Sequence, residues 1–468
     1  EAGQAPVPHN PVFGSDPLVG LQRNFVARSI RGFATPFANA DALANANVHP
    51  NDPSGDIGPF QFVVAINSIN GAQFATYAKN SGVTLSGPTL MSGLGSAGHP
   101  CSAGAGNPVV LLDELANRWM LTELAAGANV LCVYLSSGAD LSDIVTWTRY
   151  NFVLPSLPDA PKYGVWPDAY YVGSNESNAV YALDRQRMLA GMSATLQRFS
   201  IPPLSGFGFQ LMQPADLAGT HAPPLGSPGI FMRHRDDEVH NAGSNNPTRD
   251  FLEIFELHVD FTTPASSTIT GPISLNMSEF SSDLNGLAGA SAFPQPSGQK
   301  LDPMRETVMH RLTYRNLGSH EALVGNLVTD LFLGAGSNFP NDTGAIRWFE
   351  LRRPLGLQDR ILSDGFENPT GGTGGSWVLH QEGTFAPPDG TPADQADRWM
   401  AALSIDVSGN IAMGYNIVRQ TPAISAGLRY TGRLASDPLG VMSQGENLLV
   451  NGSGSVPNER WATTPTWA

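Results

Sequence analysis

Residues Arg398 to Asn416 read R-W-M-A-A-L-S-I-D-V-S-G-N-I-A-M-G-Y-N. Two short apolar runs, Ala401 to Ile405 and Ile411 to Tyr415, flank Asp406-Val407-Ser408-Gly409-Asn410, whose small polar residues and glycine suit a tight reversal between antiparallel strands. The stretch reads as a β-hairpin. The same grammar recurs upstream with different residues, in Phe62 to Tyr77 around a turn at Asn67 to Gly71 and in Val109 to Leu121 around a turn at Asp113 to Asn117. A hairpin cannot bury its apolar face alone, so repeated copies are expected to stack or to arrange radially in an all-β architecture.

The rest of the composition agrees. Among 468 residues, 50 glycines and 37 prolines imply many turns, and no stretch sustains a 3.6-residue apolar period for more than about three turns. Charged residues make up 14% of the chain and the net charge is -15, so attraction to nucleic acid phosphates or an anionic membrane is disfavoured. Only three lysines occur, Lys79, Lys162 and Lys300. This arginine-biased, Asn/Ser/Thr/Gly-rich composition resembles that of exported bacterial proteins. No apolar run approaches the length of a transmembrane helix. Glu1-Ala2-Gly3 reads either as the start of a mature chain after signal-peptide removal or as a simple boundary. A secreted, extracellular or periplasmic location is expected.

Cys101 and Cys132 are the only cysteines. They bracket one hairpin, which suggests a disulfide in an exported chain, with two buried free thiols as the alternative.

In chain order, residues 1 to 45 read as an irregular arm packing on the body, and 46 to 468 as one β-propeller domain with long loop insertions. Turn anchors at Asn67, Asp113 and Asp168 recur at a spacing suited to four-stranded blades, and seven blades fit the length best, with six and eight as alternatives. Asp184 to Met192 is a short helix N-capped by Asp184. Phe207 to Met212, Gly229 to Arg233 and Phe251 to Phe261 are strand-like, and the Gly/Thr-rich Ser363 to Gly375 reads as a surface loop.

A set of motifs resembles a group of uncharacterised secreted bacterial β-propeller-like proteins. The set comprises the Gly55-Asp56-Ile57-Gly58-Pro59 loop, Asn107 to Asp113 with Arg118-Trp119, Val165-Trp166-Pro167-Asp168-Ala169-Tyr170-Tyr171, Arg347 to Leu351, Gln381 to Pro387 and Arg429-Tyr430-Thr431-Gly432-Arg433. The resemblance implies a propeller and brings no catalytic residues. It departs at Gly106-Asn107-Pro108, where the group carries G-D-P, and at Arg460-Trp461-Ala462-Thr463, where it carries R-W-G-D-Y-S.

Several constellations carry chemistry. Asp52 and Asp56, in a rigid Gly/Pro loop, offer hard oxygen ligands to Ca²⁺, against simple turn chemistry. Asp168, Glu321 and His320 are catalytic candidates. Arg315, Arg347, Arg429, Tyr430 and Arg433 are candidate ligand-binding residues that a propeller would gather at its channel mouth to recognise an acidic sugar. The competing reading pairs these arginines and acids between blades. His234-Arg235-Asp236-Asp237-Glu238-Val239-His240 offers two histidines and three acids for a metal, but its Gly/Ser/Asn flanks favour a solvent-facing loop. Trp119, Trp348 and Trp399 each follow an arginine and read as inter-blade packing. No G-x-S-x-G or H-E-x-x-H occurs. Two functions follow: a binding, scaffold or extracellular-assembly protein with a protein or glycan partner at the cell surface, or a glycan-active enzyme of sialidase-like or other polysaccharide-processing type.

Overall fold

The computed structural model of the chain describes residues 14–15, 48, 50–142, 145–206, 209, 211–240, 246–284, 292–333, 342–355, 375–387 and 395–457. β1 (Gly14–Ser15) precedes a first antiparallel meander of β2 (Ser54–Ile57), β3 (Gln61–Ser68), β4 (Gly71–Ala78) and β5 (Thr84–Leu90). The second is β6 (Val109–Asp113), β7 (Arg118–Leu124), β8 (Val130–Ser136) and β9 (Trp147–Val153), and the third β10 (Lys162–Val165), β11 (Tyr170–Gly173), β12 (Ala179–Leu183) and β13 (Leu196–Ser200). The fourth runs through β14 (Gln213–Leu217), β15 (Gly229–Arg235), β16 (Arg249–His258) and β17 (Thr268–Ser278). After the small pair β18 (Phe293–Pro294) and β19 (Lys300–Leu301) comes the fifth, β20 (Leu312–Asn316), β21 (His320–Asp330), β23 (Gly344–Pro354) and β24 (Val378–Phe385), with β22 (Phe332–Leu333) paired to β1. The sixth is β25 (Asp397–Ile405), β26 (Ile411–Arg419), β27 (Ile424–Arg433) and β28 (Asn447–Val450). Among the described residues two short α-helices interrupt the strands, α1 (Arg185–Leu189) and α2 (Asp237–His240).

The hairpins form where turn chemistry permits them. Ile405 pairs with Ile411, and Gly409 takes φ +81° in the intervening turn, a conformation open to glycine. Ser68 pairs with Gly71 and Asp113 with Arg118, closing the two upstream hairpins at the expected turns. Asp184 accepts a hydrogen bond from Arg187 N at 3.1 Å and caps α1.

The meanders are the blades of a β-propeller. Ser54 and Asp56 on β2 accept from Val110 N and Leu112 N of β6 at 3.0 and 2.7 Å. Asp216 on β14 accepts from Val165 N of β10 at 2.9 Å, β14 pairs in parallel with β20, and Thr313 of β20 donates to Leu403 O of β25 at 2.8 Å. The first strand of each blade therefore lies beside the first strand of its neighbour.

The apolar core lies between blades. Val63 and Phe74 pack with Trp119 and Tyr134, Leu111 and Met120 with Tyr163 and Tyr170, and Ile346 and Trp348 with Leu403 and Tyr415. Trp119, Trp348 and Trp399 are fully buried, as the packing reading of the Arg-Trp pairs requires. Gly58 is a site of close approach, since a Cβ there would fall 2.7 Å from the Trp119 ring. The Cys101–Cys132 disulfide is formed and buried against the second blade.

Seven blades are not found. Among the described residues there are four separate four-stranded sheets and one eight-stranded sheet, which is two meanders joined by the parallel β14–β20 pair. Six four-stranded meanders are described, because the described residues between β17 and β20 form only the two-residue strands β18 and β19. The solvent-facing reading of His234 to His240 is also corrected. His234, Asp236, Asp237 and His240 are all at most 4% exposed, because Asp236 and Asp237 accept hydrogen bonds from backbone N–H groups that would otherwise be orphaned. Apart from Gly14–Ser15 the arm at 1 to 45, most of the Ser363 to Gly375 loop and the Arg460-Trp461 departure lie outside the described residues.

Candidate functional site: two chambers on the propeller axis

The first strands of the blades surround an axial passage, and two consecutive residues ahead of β20 divide it. Arg311 reaches across the axis: its guanidinium lies 2.9 Å from Asp56 Oδ2 and 3.5 Å from Asp216 Oδ2, and donates to Gly55 O and Val110 O, each at 3.2 Å. One side chain from the fifth blade thus binds the first, second and fourth. His310 faces the other way, its Nδ1 3.2 Å from Gln213 Nε2 and its Nε2 buried without a hydrogen-bond partner.

On the His310 side, where the first strands begin, is a chamber of about 560 Å³. Its walls include Pro50, Pro108, Phe209, Leu211, Met304, Met309 and Met400, and its polar groups include Asn67, Asn107, Gln213, Asp52, Asp159, Asp302, Glu306 and Lys162. Burial holds His310 well below the usual imidazole range, and the neighbouring charges of Arg311 and Lys162 add to this. Burial also lowers the Lys162 ammonium, while Asp52 and Asp159 oppose the shift. Glu306 moves the other way, raised by burial and then by Asp302. The chamber therefore offers carboxyl groups, amide groups and a neutral imidazole against methionine and proline walls.

On the Arg311 side is a narrower chamber of about 410 Å³ lined by Asp56, Lys79, Glu114, Asp216, Arg311 and Arg315, among others. Burial pushes Asp216 up to about 7 even though Arg311 pulls it down. Glu114 is tied to Gly219 N at 2.8 Å. Asp56 accepts from Ile57 N and Leu112 N as well as binding Arg311. These carboxylates fasten inner strands together, so their lone pairs are largely committed to the protein.

Of the residues that the sequence brought forward, Arg315 lines the narrow chamber, while Asp52 and Asp56 line different chambers. Asp52 is engaged by Asn67 Nδ2 at 2.7 Å. The structure does not bring these two aspartates to one ion. The others lie elsewhere in the fold. Asp168 accepts from Tyr171 OH at 3.0 Å, and burial raises it to about 6. Glu321 is fully buried in a bidentate pair with Arg353, at 2.6 and 2.7 Å, and also accepts from Tyr314 OH. His320 meets Ser319 Oγ at 2.9 Å. Arg347 binds Glu382 at 3.3 Å and packs over Phe280. Arg429 binds Asn451 and the Val450 carbonyl on the β27–β28 edge, Tyr430 stands beside it opposite Asn447, and Arg433 donates to Asp437 O at 2.7 Å. None of these residues lines either chamber, and His320 and Arg433 share Glu350 and Arg352 as electrostatic neighbours.

Sequence reasoning missed His310, Arg311, Asp159 and Glu306. None stands in a motif, and their convergence depends on how far each blade rotates its first strand toward the axis. A faint signal existed in Asp56 and Asp216, each one residue from the end of a short apolar strand.

No family model matches the chain, and no curated protein matches it. Among solved structures, the chain overlays on a GH43 endo-arabinanase from Bacillus licheniformis at 12% identity, covering 66% of this chain and 95% of that one, with a TM-score of 0.27. An endo-arabinase from Bacteroides thetaiotaomicron gives 14% identity, 72% and 95% coverage and a TM-score of 0.30. The Nup133 β-propeller domain from Vanderwaltozyma polyspora gives 8% identity, 86% and 92% coverage and 0.32. At these TM-scores the overlays bear on no functional argument.

Proposed function

We propose that this propeller is an exported binding protein whose ligand occupies the wide axial chamber. The ligand is a polar molecule the size of one or two sugar rings, bearing hydroxyl or amine groups. The observation that carries this reading is the lining itself: Asp52, Asp159, Asp302 and Glu306 share the chamber with Lys162, a neutral His310 and apolar methionine and proline side chains. A volume of about 560 Å³ falls within the usual range for small-molecule sites. Acceptor-rich walls favour donors on the ligand and disfavour a carboxylate or phosphate. The buried disulfide supports export, because such bonds persist in oxidising compartments.

Calorimetric titration with neutral hexoses, amino sugars and uronic acids tests this, using wild type, Asp159→Asn and Lys162→Met. A neutral or amino sugar should bind, and one or both substitutions should weaken it at least ten-fold. Preferred binding of uronic acids, no binding by any sugar, or affinities untouched by both changes would overturn the reading.

A second reading, turnover of a glycan in the same chamber, is favoured by Glu306. Its carboxyl is raised by burial and stands among other acids, and a protonated acid beside a carboxylate is the pairing that glycoside cleavage uses. Release of reducing ends from a polysaccharide panel by wild type but not by Glu306→Gln would establish it.

A further inference from the structure

The fourth blade holds a group of acids that neither chamber uses. Asp236 follows β15, Glu238 is in α2 and Asp250 is in β16, and one oxygen from each lies within 4.8 Å of the others. Asp236 and Asp250 are essentially buried, at 1% and 0% exposure. Glu279, just beyond β17, is an independent fourth group: it is 7% exposed, its Oε2 has no hydrogen-bond partner, and its electrostatic neighbours are Glu238, Asp236 and Asp237, with Arg347 acting in the opposite sense.

We infer that Asp236, Glu238 and Asp250, with Glu279 facing them, form a Ca²⁺ site that ties α2 to β16 and the end of β17. The spacing fits this ion. Oxygens that share a Ca²⁺ at 2.3–2.6 Å can stand up to about 5 Å apart, and a buried set of protein oxygens suits Ca²⁺ better than Mg²⁺, which keeps several waters. The donors are all hard oxygens, with no sulfur or imidazole required.

Backbone groups orient the ligands. Asp250 accepts from Asp237 N and Phe280 N, each at 2.9 Å, and Asp236 accepts from Val239 N at 3.1 Å and from Ser282 N and Oγ at 2.8 Å. Asp236 Oδ1 and both Asp250 oxygens accept one such bond each and keep a lone pair for an ion, whereas Asp236 Oδ2 accepts two and keeps none. Both Glu238 oxygens are buried and lack a hydrogen bond of ordinary geometry, with the Asp237 side chain as a competing partner.

Of the nearby cations Arg347 also touches the group, donating to the Glu279 carbonyl and acting on its carboxyl, while the other two are engaged away from it. Arg233 and Arg235 both bind Glu253 at 2.7 Å, and Arg347 binds Glu382. Burial pushes Asp236 up to about 6, Glu238 to about 8, Glu279 to about 9 and Asp250 to about 10, with the neighbouring acids adding to each shift.

The test is calorimetric titration of chelator-stripped protein with CaCl₂ and separately with MgCl₂ at pH 7.5, together with the melting temperature in each. Wild type should bind one Ca²⁺ per chain, more tightly than Mg²⁺, and melt higher with it. Glu238→Gln keeps the size of the side chain, and its amide can still meet Asp237, so it should fold and melt normally in chelator while binding Ca²⁺ at least ten-fold more weakly. Glu279→Gln should weaken binding as well. No heat and no melting shift with millimolar Ca²⁺, or an unchanged affinity in both variants, would overturn the inference. Tighter Mg²⁺ binding would overturn the choice of ion.

Discussion

Arg311 Nη2 lies 2.9 Å from Asp56 Oδ2, joining the fifth blade to the first across the propeller axis. Both groups are buried, and Asp216 shares the same guanidinium. Arg311→Met should therefore cost about 3–5 kcal/mol, because it keeps volume but strands a buried carboxylate pair. Urea unfolding measures this, and adding Asp56→Asn and Asp216→Asn to the same chain should recover part of the loss. A cost below about 1 kcal/mol would mean that the axis is not held by this residue.

Glu123 provides a pH signature. It accepts from Ala72 N at 2.9 Å and from Tyr134 OH at 3.1 Å, and burial raises it from 4.5 to about 7. The folded state thus holds this proton more tightly than the unfolded state does. Stability from this group is full below about pH 4.5 and is lost as pH rises toward 7. Glu123→Gln does not titrate, so its stability relative to wild type should climb by about 3 kcal/mol across that window. A flat difference between pH 4.5 and 7.5 would show that Glu123 is not buried as described.

How much of this was legible in the chain differs by level. Hairpins were readable because strand alternation and Gly/Asx turns are local, as Ile405 opposite Ile411 shows. The helix cap at Asp184 was local too. The blade number was not. First strands begin at Ser54, Val109, Lys162 and Gln213, at nearly even steps, but then at Leu312 and Asp397, so late insertions absorb the length that a seventh blade would need. The Asp236–Asp237–Glu238 run was misread because charged residues between Gly, Ser and Asn usually face water. Here orphaned N–H groups of α2 and of the chain after β17 draw those carboxylates inward.

The Cys101–Cys132 bridge closes a separation of 31 residues. The chain-entropy relation then assigns it about 3–4 kcal/mol. A Cys101→Ala, Cys132→Ala double variant should lose that much in urea, and reduction of wild type should lower its midpoint to match.

Glu321 separates scaffold from site. It is fully buried and bound twice by Arg353, far from the wide chamber's lining. Glu321→Ala should destabilise the protein by about 3–5 kcal/mol by stranding that arginine. Ligand affinity in the folded fraction should not change, and a selective loss of binding at full stability would return Glu321 to the list of functional residues.

Methionine methyl NMR tests the central claim most directly. Met304, Met309 and Met400 line the wide chamber, while Met120 and Met188 are buried between the second and third blades. With methyl-labelled protein and the neutral and amino sugars above, the account predicts saturable shifts at Met304, Met309 and Met400 and none at Met120 and Met188. Shifts confined to other methionines, or no shift with any ligand, would contradict it.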